Sequence, residues 1–185
     1  MNKQLVILSI CSVGAVMLLL GSAQQADAAA YMKLGDIKGE STDQDHKDWI
    51  NLLSMSHVIE KTTSNTGTAR QRGSTTFGDI VVVKEIDKST PKLQESIAKG
   101  ERLPTAVIDF TRSDGEGQQT YLTYELKNVI ITSYAFKGDA SGDPLPTDQV
   151  SFNFEEIKVT YYPQNRDGTS GAPVSYSWKV EEGRK

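Results

Sequence analysis

Cysteine and histidine are scarce in this chain of 185 residues. Cys11 is the only cysteine, and the histidines are His46 and His57. A lone cysteine cannot form an intramolecular disulfide, so stability must come from a packed core. Two histidines do not supply the three or four ligands that a zinc site needs, and no Gly-x-Ser-x-Gly motif marks a nucleophilic serine. The sequence therefore predicts no catalytic residue, no metal site and no cofactor site.

The carboxylates give no better support for catalysis. Residues 139–143 resemble the start of a calcium loop, but Pro144 and Val150 stand where glycine and a bidentate glutamate are required. Glu155 and Glu156 are neighbours on a predicted strand, so they point to opposite faces and cannot flank one glycosidic bond. We therefore expect a protein that is not an enzyme.

The two histidines receive different interpretations. His46 lies in the polar stretch 41–48 and is predicted to be a solvated loop residue, whereas His57 falls in a strand-like segment.

Strong positive charge is also lacking, because the formal net charge is −4. A mildly acidic chain is a poor ligand for nucleic acid, so we expect no nucleic-acid partner.

Long apolar runs are confined to the N-terminus. Lys3 precedes an apolar run over residues 5–20, and small residues follow at 26–30. This is the pattern of a secretory signal peptide, with a cut before Ala29 or Tyr31. The run is short for a membrane span of about 20 residues, so we expect no membrane anchor after cleavage.

The leader divides the chain into two parts. Residues 1–30 are predicted to be a removed signal peptide and residues 31–185 a single domain, exported through the Sec pathway and periplasmic or secreted. A start codon near Met32 would remove the leader from the translated chain and is the open alternative. About 155 residues are enough for one hydrophobic core.

Strand patterns dominate the rest of the chain, with alternating or β-branched runs separated by turn-rich segments. One short helix is predicted over Pro91 to Lys99, because Ser89 or Thr90 can cap it, Leu93, Ile97 and Ala98 share a face, and Gly100 ends it. The predicted fold is mainly β, a barrel of two antiparallel sheets with this helix alongside. The predicted strands are residues 31–37, 77–86, 106–110, 120–136, 149–162 and 174–180.

Several segments together resemble a known family. They are residues 32–41 (MKLGDIKGES), 86–93 (IDKSTPKL), 126–129 (LKNV), 154–164 (from Phe154 to YYPQ) and 173–178 (PVSYSW). In this order and spacing they resemble the haemolysin-coregulated protein (Hcp) family, the tube subunit of type VI secretion systems. The resemblance covers nearly all of the chain after the leader.

The resemblance implies a structural role. Family members form homohexameric rings that stack into a tube, which a spike protein caps, a sheath surrounds and effector proteins occupy. The chain would then be a tube subunit that carries effectors. The alternative is an exported ring that acts as a binding or carrier protein without the contractile machine, because tube subunits of this family ordinarily carry no Sec leader.

The resemblance also implies two sets of contact residues. The strand that follows residues 38–41 lines part of the lumen, which places Met55, Ser56 and His57 at the cargo contact. Residues 60–74 match a long extended loop that reaches a neighbouring subunit or ring, with Arg70 and Arg72 as contact residues.

Overall fold

The computed structural model describes residues 28–64, 71–113, 117–138, 145–165 and 171–180. Within these ranges the chain forms eleven strands and one helix. They are β1 (Ala28–Leu34), β2 (Ile50–Leu52), β3 (Ser54–Ser56), β4 (Ile59–Ser64), β5 (Gln71–Phe77), β6 (Ile80–Glu85), α1 (Thr90–Lys99), β7 (Arg102–Ser113), β8 (Gln118–Lys137), β9 (Thr147–Asn153), β10 (Glu156–Tyr161) and β11 (Val174–Lys179).

Nine strands form one antiparallel network with the order β2-β1-β7-β8-β9-β6-β3, to which β10 and β11 are added beside β8. The long strand β8 joins two halves, because its first part pairs with β7 and β10 and its last part pairs with β9. Strands β4 and β5 form a separate antiparallel hairpin. The predicted class, mainly β with antiparallel sheets and one short helix, is confirmed.

Closure into a barrel is the part of that prediction that needs correction. Among the described strands the hydrogen-bonded path is open, and its two ends are the three-residue strands β2 and β3. These strands are consecutive in the chain, and Leu53 between them donates its N–H to the carbonyl of Val83 at 2.7 Å. The same short segment thus pairs with β1 through β2 and with β6 through β3, without a continuous ladder between the halves.

One hydrophobic core lies between the two halves. In the first half, Met32 and Leu34 of β1 face Ile108 and Ala106 of β7, and Leu126 of β8 continues the row. In the second half, the inward side chains include Val82, Val150 and Phe152. The alternation in β9 and after it, with Phe152 and Phe154 buried, has the period of two expected when one face of a strand is covered.

Helix α1 confirms the predicted element. It has proline in its first turn and ends at Gly100, whose φ of 61° is a left-handed conformation that glycine adopts readily. Leu93 is completely buried and Ile97 packs against the core, whereas Ala98, predicted to share their face, is exposed. Ser89 occupies the N-cap position without a side-chain capping bond, since its hydroxyl donates to Asp87 instead.

Several strand boundaries differ from the prediction. The strand predicted over residues 77–86 divides between the end of β5 and β6, and the strand predicted over residues 106–110 is the middle of the longer β7. The single strand predicted over residues 149–162 is two strands, β9 and β10. After β9 the chain no longer pairs with β6, and it begins to pair with an earlier part of β8 where Glu155 donates its N–H to the carbonyl of Lys127. Strand β10 then ends before Pro163, as expected. Strand β1 begins at Ala28, three residues before the predicted start.

Within the described ranges, no helix combines the length and apolar character needed to cross a membrane. Residues 1–27 of the predicted leader lie outside the described residues, as do residues 139–143.

Candidate functional site

Two rows of uncharged side chains, most of them short, cross the outward face of four neighbouring strands. Directly paired residues lie on the same face of a sheet, so the ladder register defines this surface. The first row crosses β3, β6, β9 and β8 and the second row runs parallel to it. We call this surface the neutral face; it comprises Ser56, Val81, Ser151 and Ser133 in one row and Ser54, Val83, Gln149 and Ala135 in the other.

Ser56 is the predicted cargo-contact residue that lies on the neutral face. Its side chain is exposed, and Ser54, two residues earlier, is exposed beside it. Met55 lies between them with its side chain half-buried against the hydrophobic core. The strand geometry therefore separates Met55 from the two serines, as the alternation of strand side chains requires.

His57 also points away from open solvent. Its ring lies among aromatic rings, with centroid distances of 5.7 Å to Phe154, 6.2 Å to Phe77 and 6.3 Å to Tyr124. Burial lowers the pKa of the His57 imidazole, and a hydrogen bond with the backbone of Gly78 opposes this effect only in part. Nε2 is buried and has no hydrogen-bond partner within the described residues. His57 is thus placed as a packing residue at the junction of β3 and β4.

The predicted loop contact falls on the hairpin of β4 and β5. The backbone of Arg72 pairs with Thr63, so Arg72 belongs to a strand and not to an irregular loop. Arg70 lies outside the described residues. A contact role for either arginine stays a prediction.

His46 was expected in solvent, and this expectation is wrong. The residue is only 3% exposed. Its Nδ1 lies 2.7 Å from Oδ1 of Asp43 and its Nε2 lies 3.2 Å from Oδ2 of Asp109. The imidazole also stacks on Tyr31, with a centroid distance of 4.4 Å and an interplanar angle of 7°. Because both ring nitrogens are engaged by carboxylates, His46 has no free nitrogen with which to act as a general base.

The carboxylates around His46 are held by several donors. Burial works to raise the pKa of Asp43, but hydrogen bonds from the His46 side chain and from the backbone of His46 and Asp45 outweigh it, so the pKa is lowered. Asp109 also accepts a hydrogen bond from the Thr123 hydroxyl at 2.6 Å. This cluster ties the loop before β2 to β7 and β8.

The outward face of β8, β10 and β11 differs sharply from the neutral face. Glu125 pairs with Lys158 at 2.9 Å, and Glu156 pairs with Lys127 at 2.7 Å and with Lys179 at 3.8 Å. We call these five residues the charged face. Outside the segments that the structure leaves undescribed, no three His, Cys, Asp or Glu side chains form a group that could hold a metal ion.

The comparisons with known proteins decide the family. The family model described as "Type VI secretion system effector, Hcp" matches residues 31–161. The chain belongs to the Hcp family. The resemblance inferred from the sequence segments is therefore confirmed.

Individual Hcp proteins agree with this assignment. Protein hcp1 of Pseudomonas aeruginosa is 35% identical over 154 residues, which cover 82% of this chain and 94% of that protein. A solved structure titled "Structure of a type six secretion system protein" superposes with a TM-score of 0.79 at 23% identity, covering 85% of this chain and 99% of the other. Hcp1 from Salmonella typhimurium gives a TM-score of 0.70 at 21% identity, with coverages of 85% and 97%. These two structures show that the fold is shared.

Proposed function

We propose that this Hcp chain is a non-enzymatic tube subunit that forms homohexameric rings, that the rings stack, and that effector proteins travel inside them. The neutral face is the observation that carries the proposal. Its eight residues include no charged side chain, although the chain contains 20 Lys and Arg and 24 Asp and Glu residues. Charge begins only in the next row, where Glu85 and Lys137 lie opposite Thr147 and Lys137 donates to Gln149 at 2.7 Å. In this proposal the neutral face lines the lumen and includes Ser56.

An uncharged wall of short side chains suits a channel that carries folded cargo. Serine, alanine and valine leave more open width than long side chains do. Two rows without fixed charge neither trap a cargo of opposite sign nor repel one of the same sign, because electrostatic attraction and repulsion scale with the charges present. The charged face would then lie outside the lumen, in contact with solvent or with the sheath.

The β4–β5 hairpin supports a contact between subunits. An isolated two-stranded hairpin is marginally stable in water at best. Val58 and Ile59, at its base, are 55% and 48% exposed. We propose that a neighbouring subunit or ring covers this hairpin, with Arg70 and Arg72 as contact residues. A spike protein and sheath are the further partners that this role implies.

A charge placed on the neutral face tests the lumen assignment. We expect Ser56→Arg to leave the rings intact but to reduce the amount of effector that copurifies with them, because a long cation would narrow and charge the channel. The matched control is Ser177→Arg on β11, an exposed serine paired in register with Lys158 of the charged face. The lumen assignment would be contradicted if both variants lost effector to the same extent. It would also be contradicted if neither variant lost any effector.

A second candidate function follows from the leader pattern. We propose that the Sec pathway exports the chain, that residues 1–30 contain the removed leader, and that residues 31–185 form one domain. A ring assembled beyond the inner membrane could hold ligands without a contractile machine. Comparing export in cells with and without sheath genes separates the two candidates, because the carrier is exported in both and the tube subunit requires the sheath.

A further inference from the structure

The first three residues of β1 are alanines that belong to the fold. Ala28, Ala29 and Ala30 lie opposite Arg112, Thr111 and Phe110 of β7, and Ala30 is also paired with Leu52 of β2. The Thr111 hydroxyl is completely buried and donates to the carbonyl oxygen of Ala29 at 3.4 Å. The end of the small-residue segment therefore has a structural role in the folded chain.

The same alanines contain both sequence positions that a signal peptidase could read. Alanines 26 and 28 would direct a cut after Ala28, and alanines 28 and 30 would direct a cut after Ala30. The two cuts have different consequences for the fold. The first removes one ladder position of β1, and the second removes three.

The second cut would also create a charge at an unfavourable place. It would leave the new α-ammonium on Tyr31, which is only 9% exposed and lies between Asn51 and Asp109 of the flanking strands. The Asp109 carboxylate there is already engaged by His46 and Thr123. The same cut would remove Ala30, which is paired with both Leu52 of β2 and Phe110 of β7. A cut after Ala28 instead places the ammonium beyond the last residue paired with β2.

Resting on the proposed export of this chain, we propose that the Ala28–Ala29 peptide bond is the leader cleavage site and that the mature strand β1 begins at Ala29. A membrane-bound signal peptidase adds water across this bond, which leaves a carboxylate on Ala28 and an α-ammonium on Ala29. The mature chain then keeps the acceptor of the Thr111 hydroxyl and the doubly paired Ala30.

The test uses the full-length chain with a C-terminal affinity tag, produced in bacteria and recovered from the periplasm or medium. N-terminal sequencing should read Ala-Ala-Tyr-Met, and the intact mass should correspond to residues 29–185 plus the tag. A start at Tyr31, Met32 or Met1 would overturn the cleavage proposal. The assembly mass of the same sample reports separately on ring formation. Rings built from chains with another N-terminus would refute only the proposed cleavage site. Chains that start at Ala29 but form no rings would refute only the proposed ring assembly.

Two leader variants sharpen the assignment without touching the folded residues described. Ala26→Asp places a charge at a position read only for the cut after Ala28, so chains that start at Ala29 should disappear, replaced by precursor or by chains cut after Ala30. Asp27→Asn changes the intervening position, which tolerates different residues, and should still give chains that start at Ala29. An Ala26→Asp variant whose N-terminus and yield match those of the wild type would overturn the proposal.

Discussion

His46 bridges two carboxylates that lie far apart in the sequence. Asp43 is three residues away and Asp109 is 63 residues away, yet each places a carboxylate oxygen within hydrogen-bond distance of one nitrogen of the same buried imidazole. Tyr31 covers one face of the ring and Trp49 meets it edge-on at 4.8 Å. The cluster thus fixes the loop between β1 and β2. Strand β3, which contributes Ser54 and Ser56 to the neutral face, follows directly after β2.

Removal of the His46 ring should destabilise the fold strongly. We expect His46→Ala to lower the free energy of unfolding by about 3 kcal/mol, because two largely buried carboxylates would lose their shared partner. Urea unfolding measures this change. Lys47→Ala, at the exposed neighbouring position, is the control and should change stability little. Equal stability of the two variants would show that the cluster does not hold the loop.

His57 should make stability depend on pH. Its pKa in the folded chain is lowered from 6.5 by burial, so the unfolded chain binds a proton first as the pH falls. The stability contributed by the neutral ring is therefore present above the ordinary pKa and is lost as the pH falls toward the folded value. We expect the wild-type protein to lose stability relative to His57→Phe between about pH 7 and about pH 5.

Unfolding free energies of both proteins across this range measure the difference directly, since other titrating groups cancel in the comparison. A constant difference would contradict the buried position of the His57 ring, and a wild type that gains stability in acid would contradict the sign of the pKa shift.

Residue environments could be predicted only where they depend on neighbours in the chain. The alternation of a strand explains why Ser56 is exposed and Met55 is half-buried, while the cargo contact of both stays a prediction. His46 was misplaced in solvent because its local sequence is polar, whereas Tyr31 and Asp109, which bury it, come from other strands. Nothing in the sequence of residues 41–48 itself indicates that these partners lie next to His46.

At the scale of elements, a buried polar network anchors helix α1 to the sheet. Lys84 of β6 is completely buried, with its Nζ 2.8 Å from Asp87 and 3.1 Å from Asp148. Thr90, at the start of α1, also accepts from Lys84, and Tyr134 donates to Asp148. Burial raises the pKa of Tyr134 and the Asp148 hydrogen bond adds to this, while Gln94 opposes it.

Breaking this network should cost more than any surface ion pair. We expect Lys84→Met to destabilise the protein by about 3–5 kcal/mol, because it leaves two buried carboxylates without their shared cation. Lys158→Met on the charged face is the matched control and should have a small effect, since exposed ion pairs contribute little. Thermal unfolding monitored by circular dichroism compares the variants. A Lys84→Met protein as stable as the control would mean that the network does not anchor α1.

The elements show why local patterns predict some boundaries and not others. The start of α1 near Pro91 and its end at Gly100 are set by residues within the helix itself, so the sequence predicted them. The division into β9 and β10 depends on Glu155 pairing with Lys127 of β8, and the long reach of β8 depends on three partner strands. Such tertiary pairing has no signature in the alternation of residues 149–162.

At the scale of the whole molecule, the contrast between the neutral face and the charged face favours one orientation of the subunit in the proposed ring. The first half of the network presents cross-strand ion pairs to its surroundings, and the second half presents two rows of serine, alanine, valine and glutamine that are bordered by Glu85 and Lys137. A ring that turns the second surface inward gives a channel with two uncharged rows and leaves the charged face on the outside. The sequence predicted the mainly β class and the family, while the contrast between the faces required the register of the strands.

Electron cryomicroscopy of the purified mature chain tests this arrangement most directly. We expect six-fold rings in which the strand containing Ser56 and the neighbouring strands β6 and β9 line the channel. Particles that remain monomeric at high concentration would contradict the account, and so would rings whose channel is lined by Lys158 and the rest of the charged face.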